Sequence, residues 1–157
     1  MVKVNVVAVG RVKEKYFSDA IAEYVKRLSK YCEIKLIETP EENYSKVDEG
    51  IINVIKEKEA EKILPHLKGQ VYAMAIEGRK FSSESFASEL EKSISFGTGV
   101  FTFVIGGSYG LSDSIKKRAD KLISFSEMTF PHTLFRVMLV EQIYRAFSIN
   151  GGSGYHK

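Results

Sequence analysis

The sequence predicts one α/β domain, a mostly parallel sheet flanked by helices. Three observations carry this expectation. Five strand patterns alternate with five helix patterns along 157 residues, as repeated βα units do. The third and fourth strand patterns, Gln70 to Ile76 and Val100 to Ile105, are nearly all apolar, as strands buried on both faces are. The length suits a single domain, residues 1–157, and 44% hydrophobic residues supply a core.

Val2 to Val9 is a β-branched run that stops at Gly10. Phe17, Ile21, Tyr24, Leu28 and Tyr31 then recur at helical spacing, predicting an amphipathic helix from about Tyr16 to Tyr31. Glu33 to Glu38 reads as the second strand, ended by Pro40. Val47, Ile51, Ile55, Ile63 and Leu64 mark the second helix, stopped at Pro65. The third strand closes on Glu77-Gly78-Arg79. The third helix carries Phe86, Leu90 and Ile94, is capped by Ser82 or Ser83, and is left at Gly97. After the fourth strand come a helix from about Asp113 to Lys121, a short strand near Leu122 to Phe125 and a last helix from about Leu134 to Ile149. Only the glycine-rich tail from Gly151 reads as mobile.

Composition narrows the function. Twenty-three basic against 20 acidic side chains leave a net charge of +3, compatible with a nucleic-acid partner without requiring one. One cysteine, Cys32, excludes an internal disulfide framework and a cysteine-rich metal site, and three scattered histidines give no metal-ligand spacing. No apolar run approaches about 20 uncharged residues, so a cytoplasmic protein without a membrane span is expected.

Ligands in open α/β sheets sit outside the carboxyl ends of the strands. Three segments emerge there: Glu77-Gly78, Gly106 to Gly110, and Ser126 to Phe130. The second has neither G-x-G-x-x-G spacing nor the Lys-Ser/Thr of a P-loop, and its plain reading is a tight turn into a helix. Ser124 to Phe130 sets small polar residues beside Phe and Met, a mixture that suits a purine ring. The last helix is apolar nearly all round, broken by Arg136 and a stripe of Glu141, Gln142, Arg145 and Ser148. Such a helix is central to the fold or buried against a second copy, and a homodimer is the expectation. Tyr155-His156-Lys157 ends the chain after a flexible spacer. Tyr can stack on a base, His can move a proton near neutral pH, and Lys can hold a phosphate.

VIGGSYGLS (Val104 to Ser112), SFSEMTFPHTLFRVMLVEQIYRAF (Ser124 to Phe147) and the terminal YHK resemble the RlmH family. These are SPOUT-class methyltransferases that modify pseudouridine in large-subunit ribosomal RNA. VNVVAVGRVKEKYFSDAIAEYVKRL (Val4 to Leu28) and AIEGRKFSSESFASEL (Ala75 to Leu90) extend the likeness to essentially the whole chain. The resemblance implies a C-terminal deep trefoil knot, which no sequence pattern would reveal because chains normally avoid threading. It also implies a homodimer, ribosomal RNA as partner and S-adenosylmethionine as cofactor. Carried over, the cofactor residues are Met74, Gly106, Gly107 and Phe125, Ser126, Glu127, Met128, Thr129 and Phe130. Tyr155 and His156 would complete the site in the partner subunit.

The reaction so implied moves a methyl group to ring nitrogen three of a pseudouridine in 23S RNA, with no metal. His156 is the expected proton handler, Tyr155 positions the base, and Arg136 is the third catalytic expectation. Arg145 and Lys157 are expected to hold RNA; for both arginines the plain alternative is dimer packing or an ion pair with Glu141. The rival readings are a non-catalytic RNA or ribosome-binding factor on the same fold, and a nicotinamide or flavin enzyme, which the missing glycine fingerprint disfavours.

Overall fold

A computed structural model describes residues 1–157. Five strands form one sheet, β1 (Lys3–Val9), β2 (Glu33–Thr39), β3 (Gln70–Lys80), β4 (Val100–Ile105) and β5 (Lys121–Ser124). The helices are α1 (Lys15–Leu28), α2 (Glu49–Ile63), α3 (Ser83–Ser95), α4 (Asp113–Arg118) and α5 (His132–Asn150), with a 3-10 turn at Leu64–His66. The strand order is β2-β1-β4-β3-β5, and every pairing is parallel.

Strand alternation divides the core into two layers. Val4, Val6 and Ala8 of β1 join Tyr72, Phe101 and Phe103 beneath α1, α3 and α5. Val7 and Val9 face the other way, with Val71, Ala73 and Val104, under Ala60 and Ile63 of α2 and Ile115 of α4. Covering both faces explains the nearly continuous apolar strands. Tyr72 stacks on Phe103 at 5.2 Å and Phe86 meets the same ring edge-on at 6.0 Å, each ring worth roughly 1.5–3 kcal/mol of burial.

Several expected boundaries move, each for a local reason. Strand β3 does not end at Ile76 but runs to Lys80, so Glu77-Gly78 lies inside it. Ile123 of β5 pairs with both Met74 and Arg79, and the intervening residues bulge. Gly78 sits at this crossing: a Cβ there would stand 2.6 Å from the Leu122 carbonyl carbon, so only glycine lets the two backbones touch. Helix α4 ends at Arg118 rather than Lys121, because Asp120 exchanges backbone and side-chain hydrogen bonds with Val71 (Asp120 N to Val71 O, 2.8 Å; Val71 N to Asp120 Oδ2, 2.7 Å). Helix α5 starts two residues early, at His132, directly after Pro131, whose ψ of 135° lies outside the helix.

Helix α5 is held between α1 and α3 over one face of the sheet, and none of its residues is fully exposed. Its apolar circumference is therefore covered largely within the protomer: Leu139, Val140 and Ile143 are 0% exposed. The tail expected to be mobile is docked, with Tyr155 packed at 4.7 Å on Tyr144. No helix is long and apolar enough to cross a membrane.

Candidate functional site

The carboxyl ends of β4 and β5 and the bulged middle of β3 open into a cavity of about 700 Å³, within the usual ~300–1,000 Å³ of small-molecule sites. Three segments make it. From β3 come Met74, Ile76 and Glu77. From the turn after β4 come Gly106 to Leu111. From the connection between β5 and α5 come Phe125, Ser126, Met128, Thr129 and Phe130, with His132 and Phe135 behind them.

The turn after β4 closes on itself through a Gly107 to Gly110 bridge, with Gly110 N donating to Gly107 O at 3.1 Å. Gly106 is required by that closure: its missing Cβ would lie 2.6 Å from the Gly110 carbonyl carbon and 2.9 Å from Leu111 N. The constraint comes from the loop's own backbone, not from the open side of the cavity. In the third segment Ser124 Oγ donates to Ser126 O at 3.1 Å, and Ser126 Oγ accepts from Met128 N at 3.0 Å. Serine side chains thus hold the turn and leave backbone groups beside apolar Phe125, Phe130 and Phe135. A flat heteroaromatic ring with polar edges matches such a wall. At the rim Lys116 pairs with Glu77 at 2.6 Å, and that hydrogen bond holds the Glu77 carboxyl below the usual carboxylate range.

The residues expected to hold cofactor therefore stand together, except Glu127, which points out to Lys80 at 3.3 Å. Sequence reading singled out Glu77 as part of a ligand-side segment and missed Ile76, Lys116, His132 and Phe135. His132 carried a usable signal, a titratable residue directly after a strand-end loop at the start of a helix.

The catalytic expectations fall elsewhere. Arg136 is 3% exposed. Its guanidinium donates to Glu38 Oε2 at 2.6 Å, Val9 O at 3.3 Å and Gly10 O at 3.2 Å. It ties α5 to the ends of β1 and β2. Arg145 does pair with Glu141, Nε to Oε1 at 2.8 Å, the plain alternative for that residue. Tyr155 donates to Glu141 Oε1 at 3.3 Å and lies under the Arg145 guanidinium at 4.9 Å. Burial, with Tyr24 and Glu141 beside it, pushes the Tyr155 phenol up, so it stays a neutral donor. His156 lies between Arg145 Nη1 on Nδ1 (3.0 Å) and Glu84 Oε1 on Nε2 (2.7 Å). Arginine can only donate, so Nδ1 accepts and the ring gives its Nε2 hydrogen to Glu84. Lys157 is exposed. No group of three or more His, Cys, Asp and Glu is placed to hold a metal.

The sequence model of a family described as "Predicted SPOUT methyltransferase" matches residues 2–156. A ribosomal RNA large subunit methyltransferase H from Lactobacillus acidophilus is 50% identical, and one from Lactobacillus johnsonii 49%, each over 98% of this chain and 99% of the relative. Among solved structures, a probable methyltransferase from Bordetella pertussis shares the fold with a TM-score of 0.55 at 10% identity, over 93% of this chain and 95% of its own. A Legionella pneumophila protein in complex with bound SAM aligns with a TM-score of 0.51 at 9% identity, over 92% and 66%. With a family match along nearly its whole length and near-half identity to full-length relatives, the chain belongs to the SPOUT methyltransferase family.

Proposed function

We propose that this methyltransferase carries the methyl group of S-adenosylmethionine to ring nitrogen three of a pseudouridine in 23S ribosomal RNA of the large subunit. The observation that carries the reading is the cavity at the ends of β4 and β5 and the bulge of β3, where eight of the nine expected cofactor residues meet, in a chain whose near-half-identical relatives are named for large-subunit ribosomal RNA. Phe125, Phe130 and Phe135 would hold the adenine, and the backbone of Gly106 to Gly110 and Ser126 to Met128 would read its edges. S-adenosylmethionine, when bound, supplies a methyl group on a sulfonium that leaves as a neutral thioether.

The chain's own residues then orient the base and move one proton. His156 takes the proton from ring nitrogen three once the base displaces Arg145 from Nδ1, which frees that lone pair. Tyr155, kept neutral, positions the base by donating a hydrogen bond, and Arg145 steadies the developing anion. Lys157 holds a phosphate. The buried ties of Arg136 support a scaffolding part for it.

The reading includes a cytoplasmic homodimer of one-domain chains, residues 1–157, each with a trefoil knot between β4 and α5. The tail rests outside the walls of its own protomer's cavity, which supports its serving the partner's site. The half-buried Leu134 near the start of α5 offers part of the dimer face. The touching backbones at Gly78 support a threaded β5.

Tritiated-methyl transfer to ribosomal particles tests the reaction, with nucleoside analysis of the RNA. Label in N3-methylpseudouridine is the expected result. Label in another nucleoside, or none, refutes it.

A further inference from the structure

A second cavity, of about 410 Å³, opens between α1, α3 and α5. Ile123, Ser124 and Phe125 line both cavities, so β5 and its exit form the wall between them. Phe81, Phe86 and Phe125 give the second one flat apolar sides. Its polar groups are few and connected: Ser83 Oγ donates to Gln142 Oε1 at 2.7 Å, and Gln142 Nε2 donates to Glu141 Oε2 at 3.0 Å. Tyr155 reaches the same Glu141, and His156 rests on Glu84, next to Ser83. The tail thus stands on the rim of this cavity, not of the larger one.

We propose that the second cavity receives the target base, a uracil-type ring held between the aromatic side chains with its edge read by Gln142 and Ser83. The proposal rests on the methyl-transfer reading above and divides the site in two: base and tail on one protomer, cofactor on the other.

The chemistry fits at three points. A uracil-type edge alternates carbonyl acceptors with N–H donors, and a glutamine amide offers a donor and an acceptor side by side. The partners that now occupy this amide are a hydroxyl and a carboxylate near the surface, and the hydroxyl of Ser83 needs only to rotate to release it. Glu141 carries its charge against Arg145, so a base losing its proton nearby does not meet a bare carboxylate. A base extruded from RNA into such a slot regains by stacking what it loses on leaving its neighbours.

The methionines report on the two cavities separately. Met74 and Met128 line the larger one and Met138 the smaller. In the full chain labelled with 13C-methyl methionine, millimolar pseudouridine nucleoside is expected to shift Met138 and leave Met74 and Met128 in place; S-adenosylmethionine is expected to do the reverse. Gln142→Leu should abolish the nucleoside effect and keep the cofactor effect. It should lower kcat/KM on ribosomal particles by about 10- to 100-fold, as two lost hydrogen bonds would. A Met138 signal indifferent to nucleoside overturns the proposal. So does one that moves only with protein concentration, which would mean that a second copy fills the cavity, and so does full activity in the variant. If the cofactor fails to shift Met74 and Met128, the cofactor reading falls instead, and the two failures are distinguishable.

Discussion

Replacing Gly106 by alanine tests whether the turn after β4 is the cofactor's cradle. The new methyl would stand 2.6 Å and 2.8 Å from the carbonyl carbon and oxygen of Gly110 and 2.9 Å from Leu111 N, where ordinary contact begins at 3.4 Å. All three neighbours are backbone, so no side chain can swing away and the turn must open by several tenths of an ångström. Overpacking of this kind costs about 1–3 kcal/mol. Charged to the bound geometry of the loop, it corresponds to an affinity loss of about 5- to 150-fold. Charged to the fold, it corresponds to about 2–4 °C of melting temperature per kcal/mol. Calorimetric titration with S-adenosylmethionine, beside a thermal melt, separates the two. Gly99→Ala is the control, because nothing lies within 4 Å of its Cβ position and it should bind and melt like the parent. A Gly106→Ala protein that binds within twofold of the parent refutes the loop assignment.

The other expected outcomes are as follows. Arg136→Met leaves the Val9 and Gly10 carbonyls without their donor and should cost about 2–4 kcal/mol in denaturant unfolding; an unchanged midpoint would return Arg136 to a surface role. Coexpressing Gly106→Val with His156→Ala should restore about a quarter of parental activity, one working site in each mixed dimer; Gln142→Leu with His156→Ala should restore none. If both mixtures are inert, the site is not shared between subunits. Burial pushes the Cys32 thiol up to about 12, so a thiol reagent at neutral pH should label it only in denaturant, and rapid labelling of the native chain would contradict its packing. Glu77 has a depressed pKa through Lys116, so its contribution is present above the ordinary carboxylate value and lost as pH falls through the depressed one. Glu77→Gln should therefore flatten the acid limb of the stability profile, and an unaltered limb would mean that the pair contributes nothing.

What could be read in advance follows physical range. The strand and helix sequence was legible because each element carries its own period, such as Ile21 and Leu28 on one face of α1, and its own punctuation, such as Ser82 before α3. The longer β3 was not, because its second half is aligned by β5, which lies some 40 residues away along the chain; nothing local to Glu77 or Gly78 announces that pairing. Gly106 and the Phe125 to Phe130 stretch could be grouped because they follow strand ends, and Met74 joined them through resemblance to a known family. The partners of Arg136 were hidden for the opposite reason. A lone arginine on an apolar helix looks available for chemistry until Glu38, 98 positions earlier, is found to hold it.

The late position of α5 in the chain has a consequence for biogenesis. This helix supplies Leu139, Val140, Ile143, Ala146 and Phe147 to the larger core layer, and those residues are synthesised after every strand of the sheet. Until they emerge, the sheet face carrying Val4, Val6, Phe101 and Phe103 is covered only by α1 and α3, and five strands with four helices stand as an open, adhesive half-sandwich. The nascent chain cannot bank stability step by step as each βα unit appears. It must remain loosely collapsed, vulnerable to association, and complete its core only when α5 has left the ribosome.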